Sequence, residues 1–338
     1  MFTLLRLLSR TLVLIFLNVT LYAGSTNYNG AGSSAVYPVL VEVAQAYEKA
    51  TGTRINYTST GSAGGLQQLA QQQIDFAAAD MPLAAFDKLN MEALQFPLVL
   101  TAVVPVYNLP NINNLMLTGE VLADIYLGHI TQWNDPAIQA LNEHITMPEL
   151  PIIPIARAGG SGTTYNFTHY LSKITQHRTA DNAFVADVSQ PWNFISVSNN
   201  AAVAQQVSLN VGTIGYMEHA QAVLSQLDYA HIANQSQDYV SAEKHNIQAA
   251  VETIDWLNET GLNLIPTDQP GADSWPITMA IFVMLNAKDT PTDIIHFLKW
   301  FYQQGDEVVE QLGYIALPAS VRAALIKELD NLLATTDT

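Results

Sequence analysis

One pattern constrains the fold more than any other feature of this sequence, because it occurs three times. A short extended run leads into a loop of small residues, and the loop leads into a segment whose apolar residues recur at helical spacing. Strands and helices that alternate in this way are typical of an α/β fold, in which helices flank largely parallel sheets. The three stretches are NGAGSSAVYPVLVEVAQAYEKATG (29–52), RINYTSTGSAGGLQQLAQQQI (54–74) and PIIPIARAGGSGTTYNFTHYLSKI (151–174).

The apolar spacing also predicts where single elements begin and end. In the first helix, apolar residues from Leu40 to Tyr47 share one face, and Gly52 follows as a C-terminal stop. The run IDFAAADMP predicts a buried strand over 74–79 that ends in Asp80. Further helices are predicted at 121–128, 135–141, 200–207, 243–257, 292–304 and 320–333, and further strands at 211–217 and 274–285.

The N-terminus has the composition of a secretory signal peptide. Arg6 and Arg10 precede an apolar run over 11–23, which ends in the small residue Ala23. A membrane anchor is the alternative, but about 20 uninterrupted apolar residues are needed to span a bilayer. We therefore predict that residues 1–23 are removed and that the mature chain is exported. Cys is absent, which excludes disulfides, lipid attachment through Cys and Cys metal sites.

The charge of the chain argues against nucleic-acid binding. The whole chain has 13 basic and 30 acidic residues, and loss of Arg6 and Arg10 with the signal peptide leaves 11 basic residues and a net charge of −19. Nucleic-acid binding needs a basic surface that can meet phosphate backbones. A cation near a loop is therefore informative in this chain. The arginines that remain are Arg54, Arg157, Arg178 and Arg322.

The three small-residue loops are candidate anion-binding elements. Each follows a strand and opens a helix, and ligands of open α/β sheets bind at the carboxyl ends of strands. Helix starts offer free N–H groups to an anion, and Ser and Thr add hydroxyl donors. Arg157 stands directly before the third loop, where its planar guanidinium suits an oxyanion. The alternative is that these loops are ordinary caps and turns and that Arg157 forms a structural ion pair.

Asp80, which follows the strand predicted over 74–79, is unexpected in an anion site. A carboxylate there needs a proton on the ligand, because it can accept a hydrogen bond from protonated phosphate but would repel sulfate, which carries no proton at neutral pH. Many donors and one such acceptor would select phosphate. A turn or helix-capping carboxylate is the alternative for Asp80.

Catalytic and metal-binding motifs are poorly represented. The sequence contains neither a GxSxG elbow nor an HExxH helix, and GGSGTT lacks the Lys of a nucleotide-binding P-loop. Glu218 and His219 are adjacent, and adjacent residues do not share a helix face. The eight His residues are scattered, so we expect no metal site and no cofactor.

With these motifs in view, the chain resembles the periplasmic phosphate-binding proteins of the bacterial high-affinity phosphate ABC transporters. The resemblance extends from about Gly30 to about Ser320, nearly all of the mature chain. The stretches that carry it are GAGSSAVYP, NYTSTGSAGG, DFAAADMP, DIYLGHITQWNDPAI, RAGGSGTTYNFTHYL, GTIGYMEHA and SWPITMAIFVML.

The resemblance implies a two-domain periplasmic binding protein of type II, which closes on its ligand like a hinged trap. Each domain is then α/β, with a mostly parallel sheet flanked by helices. Domain I would be discontinuous and combine 24–104 with 280–338, while domain II would span 105–279. The chain would cross between domains near 103–106 and near 277–281.

The resemblance also implies a set of ligand residues. Ser34 stands where the family often has Thr, and Ala35 stands where it often has an aromatic residue. Gly159 departs further, because the family often has an acid there that tethers the arginine. The implied phosphate-binding residues are Ser34, Ala35, Ser62, Asp80, Arg157, Ser161, Gly162 and Thr163.

The function that follows from this resemblance is capture of inorganic phosphate without chemistry. The implied partner is an ABC transporter, a permease and ATPase complex at the inner membrane, and we expect a periplasmic monomer. Three alternatives remain at this stage. They are a binding protein for sulfate, molybdate or tungstate, a phosphatase-like enzyme with Ser161 or Thr163 as nucleophile, and an exported interaction or adhesion protein.

Overall fold

A computed structural model describes residues 27–86, 91–175, 194–252, 254–256 and 265–336. The predicted signal peptide, residues 1–23, lies outside these ranges, and so does Arg178. Among the helices of these ranges, none combines the length and the apolar character needed to cross a membrane.

The strands and helices alternate along most of the chain, as the sequence predicts. The strands are β1 (Asn27–Gly32), β2 (Arg54–Ser59), β3 (Phe76–Ala79), β4 (Ala93–Tyr107), β5 (Met116–Leu117), β6 (Ile153–Arg157), β7 (Ile195–Val197), β8 (Thr213–Glu218), β9 (Asp228–Tyr229), β10 (His231–Ala233), β11 (Tyr239–Val240) and β12 (Thr278–Asn286). The helices are α1 (Tyr37–Thr51), α2 (Ser62–Ala70), α3 (Gly119–Tyr126), α4 (Pro136–Leu141), α5 (Gly162–Thr175), α6 (Asn200–Leu209), α7 (His219–Leu224), α8 (Lys244–Val251), α9 (Thr292–Gln304), α10 (Asp306–Gln311) and α11 (Ala319–Thr336).

The main sheet is mixed, with parallel flanks and an antiparallel centre. Its strand order is β2-β1-β3-β12-β4-β8-β6-β7, and β9 pairs with β4 beside this path. The flanks, β2-β1-β3 and β8-β6-β7, are parallel, as predicted. The central pairs are antiparallel: β12 comes from the far end of the sequence and lies between β3 and β4, and β4 also runs antiparallel to β8. A small sheet of order β11-β10-β5 lies apart from it.

The long strand β4 joins the two flanks. Its first part pairs with β12 as far as the partners Ala102 and Thr278, and its last part pairs with β8 from Val103 onwards. At the change of partner, the N–H of Val103 donates to the carbonyl of Ile277 over 2.8 Å. The strand thus passes from one flank to the other without a loop, and β12 begins at the same level.

The helices cover the sheet with the faces that the sequence predicts. In α1, the residues predicted to share a face are all buried, and Gly52 ends the helix with φ of 81°. In α5, Phe167, Tyr170 and Leu171 are buried. The helix predicted over 243–257 is shorter than expected, because α8 ends at Val251 in the described part of the chain. Burial of these apolar faces against both sides of the sheet supplies the main folding free energy.

Candidate anion-binding site

The loops that follow β1, β2 and β6 meet at the carboxyl end of β3. The carbonyl of Gly32 accepts hydrogen bonds from the N–H groups of Thr60 and Gly61, over 2.9 and 2.8 Å, which joins the first two loops. The N–H of Ala63 donates to the carbonyl of Gly160 over 3.0 Å, which joins the second loop to the third. The predicted loops therefore come together in space.

Two glycines make the approach of the third loop possible. Gly160 has φ of 81°, a backbone conformation that residues with a Cβ rarely adopt. At Gly162, a Cβ would lie 2.6 Å from the Oγ of Ser62 and 2.7 Å from the Cβ of Asp80. Only bare backbone can therefore bring the start of α5 against these two residues.

Asp80 lies at the centre of the junction and is 3 % exposed. Its Oδ2 accepts a hydrogen bond from the Oγ1 of Thr163 over 2.9 Å, and its backbone N–H donates to the Oγ of Ser62 over 3.2 Å. Its Oδ1 has no hydrogen-bond partner among the described residues. Burial raises the pKa of the Asp80 carboxyl, while the nearby Ser33 hydroxyl, Thr163 and Arg157 act to lower it.

Arg157 ends β6 with its side chain inside the protein, at 2 % exposure. Its Nη1 donates to the Oδ1 of Asn200 over 2.9 Å, and its Nη2 donates to the carbonyl of Ser198 over 3.0 Å. Its Nε is buried without a partner in the described ranges. Burial lowers the pKa of Arg157, and the charge of Asp80 acts in the opposite direction. The side chains of Asp80 and Arg157 are therefore close enough for each charge to stabilise the other.

The tether of Arg157 is neutral, and sequence reasoning missed it. Gly159 is exposed, and a Cβ there would meet no atom within 4 Å, so its neighbourhood has room for a side chain. In place of an acid, Asn200 and the carbonyl of Ser198 hold the guanidinium. The available signal was the start of the predicted helix over 200–207, since a helix start places its first side chains at one end of the sheet.

The start of α5 supplies hydroxyl groups that are buried and ordered. Ser161 and Thr163 are 4 % and 0 % exposed. The Oγ of Ser161 accepts from the N–H of Thr164 over 3.2 Å, as a capping side chain does. The hydroxyl of Thr164 is hydrogen-bonded to that of Tyr216 over 2.8 Å, and Tyr216 in turn accepts from the backbone N–H of Arg157. Tyr216, which lies on β8, therefore holds the third loop at both ends.

The first loop places its two predicted residues differently. The hydroxyl of Ser34 is buried and has no partner among the described residues, so it is available to a ligand. The N–H of Ala35 instead donates to the Oγ of Ser33 over 3.0 Å. The role of Ala35 as an amide donor to a ligand stays a prediction, and it requires this bond to be shared or broken.

Unpartnered polar atoms concentrate in this region. In the described part of the chain, six buried side-chain N or O atoms have no hydrogen-bond partner, and four of them belong to residues at this site or at its tether. A buried polar group without a partner costs about 1–3 kcal/mol, so such a cluster is expected where a ligand completes the bonding. The four atoms are Ser34 Oγ, Asp80 Oδ1, Arg157 Nε and Asn200 Nδ2.

This set of atoms suits a small oxyanion that carries a proton. Arg157, the hydroxyls and the helix starts donate to negatively charged oxygens, and Asp80 Oδ1 can accept from an O–H of the ligand. No group of three or more His, Cys, Asp or Glu residues that could hold a metal ion occurs among the described residues. The arrangement can bind and orient an anion.

Comparisons with known proteins show the family of this chain. A family model described as a PBP superfamily domain matches residues 22–304. The phosphate-binding protein PstS of Pasteurella multocida (strain Pm70) is 37% identical over 92% of this chain and 92% of its own length. The PstS of Haemophilus influenzae (strain ATCC 51907 / DSM 11121 / KW20 / Rd) is also 37% identical, over 89% of this chain and 91% of its own.

Solved structures show the same fold. A phosphate-binding protein from Stenotrophomonas maltophilia superimposes with a TM-score of 0.67 at 18% identity, and the match covers 89% of this chain and 93% of that one. The predicted fold class is therefore confirmed, and the mixed sheet matches that of known binding proteins. By the family model and by identity over most of its length, the chain belongs to the PBP superfamily and, within it, to the family of PstS phosphate-binding proteins.

Proposed function

We propose that this protein binds inorganic phosphate and delivers it to an ABC transporter for import. The observation that carries the proposal is Asp80 Oδ1, a buried acceptor without a partner in the described residues, beside the donors Arg157 and Thr163. An acceptor in a site built from donors favours an anion with its own proton. The relatives named phosphate-binding protein PstS support the same ligand.

The proposed ligand residues have distinct roles. Arg157 supplies the fixed positive charge through its free Nε, and Ser34 supplies a free hydroxyl. Asp80 accepts the proton of the ligand and so discriminates against sulfate. The full proposed set is Ser34, Ala35, Ser62, Asp80, Arg157, Ser161, Gly162 and Thr163.

We also propose that the site lies between two domains, with domain I made of 24–104 and 280–338 and domain II of 105–279. The change of partner along β4 between Ala102 and Val103 supports a hinge there. By this division, the contact between Thr163 and Asp80 and the contact between Ala63 and Gly160 cross the cleft, which corresponds to a closed form. A ligand that bridges both sides shifts the equilibrium toward closure through its differential affinity.

Export and partnership complete the proposal. Residues 1–23 act as a cleaved signal peptide and direct the protein to the periplasm. There it works as a monomer and presents phosphate to a permease and ATPase complex in the inner membrane. The relation to PstS proteins supports an ABC transporter as partner.

A phosphatase function is not favoured. Thr163 and Asp80 lie at 2.9 Å, a distance that would suit a nucleophile and its base. The family, however, consists of binding proteins, and this chain is one of them rather than an enzyme. We expect no release of product from a chromogenic phosphate ester.

Calorimetry on the chain without residues 1–23 tests the proposal. At pH 7.5, we expect tight binding of phosphate and no measurable heat from sulfate. Asp80→Asn should weaken phosphate binding and permit sulfate binding, so that the preference falls about 100-fold, because one repulsive contact is worth several kcal/mol. Asp75→Asn is the matched control and should leave both affinities unchanged, because the Asp75 side chain accepts from the N–H of Asn29, away from Asp80 and Arg157. A preference of the parent protein for sulfate would overturn the proposal.

A further inference from the structure

The two carbonyl groups of the Ser34–Ala35 loop are held by side chains from distant parts of the chain. The Nε2 of Gln221 donates to the carbonyls of Ser34 and Ala35 over 2.7 and 3.1 Å. The hydroxyl of Tyr314 donates to the carbonyl of Ala35 over 2.5 Å. The backbone that carries the free hydroxyl of Ser34 is thus fixed by residues outside the proposed ligand set.

Glu218 orients both of these donors. Its Oε2 accepts from the backbone N–H of Gln221 over 2.9 Å and lies 3.0 Å from the hydroxyl of Tyr314, whose single proton is shared between this oxygen and the carbonyl of Ala35. Its Oε1 accepts from the N–H of Ala220 over 2.8 Å and from the hydroxyl of Thr101. Glu218 is 0 % exposed and caps the start of α7, so it fixes the helix from which the side chain of Gln221 projects.

The residues of this network come from three segments that meet beside the proposed hinge. Ser34 and Ala35 follow β1, Gln221 lies on α7, and Tyr314 follows α10. The segment after Tyr314 is paired to β4, because Ile315 exchanges hydrogen bonds with Leu100 over 2.9 Å in both directions. By the proposed domain division, Gln221 belongs to domain II, while the loop and Tyr314 belong to domain I.

We infer that Gln221 and Tyr314 are positioning residues of the anion site, and that the hydrogen bonds of Gln221 align the hydroxyl of Ser34 when the two domains close. Tyr314 holds the loop within its own domain in every state. Gln221 adds the constraint from the opposite domain, so the first loop reaches its binding geometry only as the cleft shuts. This inference rests on the proposed phosphate function and on the proposed hinge.

The inference has a kinetic consequence. Because Gln221 engages the loop on closure, its loss should leave the encounter of phosphate with the open cleft unaffected and should speed release from the closed form. Loss of the two hydrogen bonds from Gln221 to this loop corresponds to about 5- to 10-fold in affinity, and most such changes appear in the dissociation rate. Loss of the Tyr314 hydroxyl should act on the same loop in the same direction.

Stopped-flow and calorimetric measurements on matched variants test the inference. We expect Gln221→Ala and Tyr314→Phe each to raise the phosphate dissociation rate about 5- to 10-fold while the association rate changes less than about twofold. Gln205→Ala, on an exposed residue of the neighbouring α6, is the control and should change neither rate. On a Ser34→Ala background, Gln221→Ala should have less than half of its effect, because both act through one donor.

The outcomes separate this inference from the function on which it rests. If the parent protein binds no phosphate, the proposed function fails. If it binds phosphate and Gln221→Ala leaves the dissociation rate unchanged, or if the effects of Gln221→Ala and Ser34→Ala simply multiply, the positioning role is wrong. Thermal unfolding of each variant checks that the fold is retained, and a variant with unchanged melting but faster release supports positioning.

Discussion

Asp80 and Glu218 are both buried carboxylates, but they differ in how completely their oxygens are bonded. Burial raises the pKa of each. Glu218 accepts hydrogen bonds on both oxygens, from the hydroxyls of Thr101 and Tyr314 and from two N–H groups at the start of α7. Asp80 is bonded to Thr163 through Oδ2, and its Oδ1 is without a partner among the described residues.

One kind of side chain thus serves two purposes in this protein. A buried carboxylate surrounded by protein donors is complete, and its removal affects the fold. A buried carboxylate with an unbonded oxygen stores unfavourable free energy that a suitable ligand can release. Functional sites often lower the stability of a protein in this way, and favourable contacts elsewhere in the fold compensate for the loss.

Stability measurements should show the largest contrast between the two residues. Glu218→Gln replaces one carboxyl oxygen with an NH₂ group, which cannot accept a hydrogen bond even though a protonated carboxyl oxygen still can, so we expect the free energy of unfolding to fall by about 2–4 kcal/mol. Asp80→Asn removes a buried charge with incomplete bonding. In phosphate-free buffer we therefore expect the free energy of unfolding of this variant to be unchanged within about 1 kcal/mol or to rise. Urea denaturation of the two variants checks this. Equal losses for both would remove the distinction.

The pH dependence of stability should also distinguish Glu218 from other residues. Burial raises the pKa of Glu218 from 4.5 to about 7. The native state thus binds this proton more tightly than the unfolded chain does. Protonation of Glu218 therefore makes its full contribution to the free energy of unfolding below pH 4.5, and this contribution is lost as the pH rises through about 7. Between pH 5 and 7.5, we expect the free energy of unfolding to fall by about 2 kcal/mol more in the parent protein than in the Glu218→Gln variant.

Two buried histidines also contribute to the pH dependence of stability. The pKa of His169 and that of His219 are lowered to about 4 by burial, so these residues destabilise the fold as the pH falls from 6.5 to 4, in both proteins. Their effects largely cancel when the two pH curves are subtracted. A flat difference curve would contradict the protonation of Glu218 at mildly acidic pH.

The smallest expected effect concerns Arg157, the cation that faces Asp80. Asn200→Ala removes an acceptor from its guanidinium, so we expect phosphate affinity to fall about 10-fold, as for loss of one hydrogen bond to a charged group. Asn199→Ala is the matched control at the same helix, because Asn199 caps α6 through the N–H of Ala202 without bonding Arg157. We expect it to lower stability by about 1 kcal/mol and to leave affinity unchanged.

If the Asn199 and Asn200 variants lose affinity equally, the effect belongs to the helix and not to the tether. Calorimetry with phosphate at constant pH distinguishes the two. Gly159→Asp extends this test, since an acid there has room and would return the charged tether that the family often has.

Much of the fold could be predicted from the sequence, because local periodicity decides it. The apolar face of α1, the stop at Gly52 and the small-residue loop before α5 are all encoded within a few residues. The antiparallel centre of the sheet could not be predicted in this way. It depends on β12 pairing with β3 and β4, which lie some two hundred residues away.

The candidate site divides along the same line. The loops with Ser34, Ser62 and Arg157 stand out as motifs, and the structure brings them together. Asn200 stands at a predicted helix start, but that position alone does not identify Arg157 as its partner, and Gln221 and Tyr314 carry no local signal. Their roles arise from contacts between residues 43 to 279 positions apart. In the sequence, Glu218 stands out only for its neighbour His219. The structure instead uses it as the cap of α7, while the Nδ1 of His219 has no partner in the described chain.

A crystal structure of the protein with bound phosphate is the decisive experiment. The claim is that the unbonded atoms of this site are completed by one protonated oxyanion. We predict a phosphate oxygen about 2.5–2.7 Å from Asp80 Oδ1, a short distance typical of an O–H group that donates to a carboxylate, with Arg157 Nε and Ser34 Oγ also bonded to the ligand. Phosphate bound elsewhere, or Asp80 Oδ1 more than about 3.5 Å from every ligand oxygen, would contradict it.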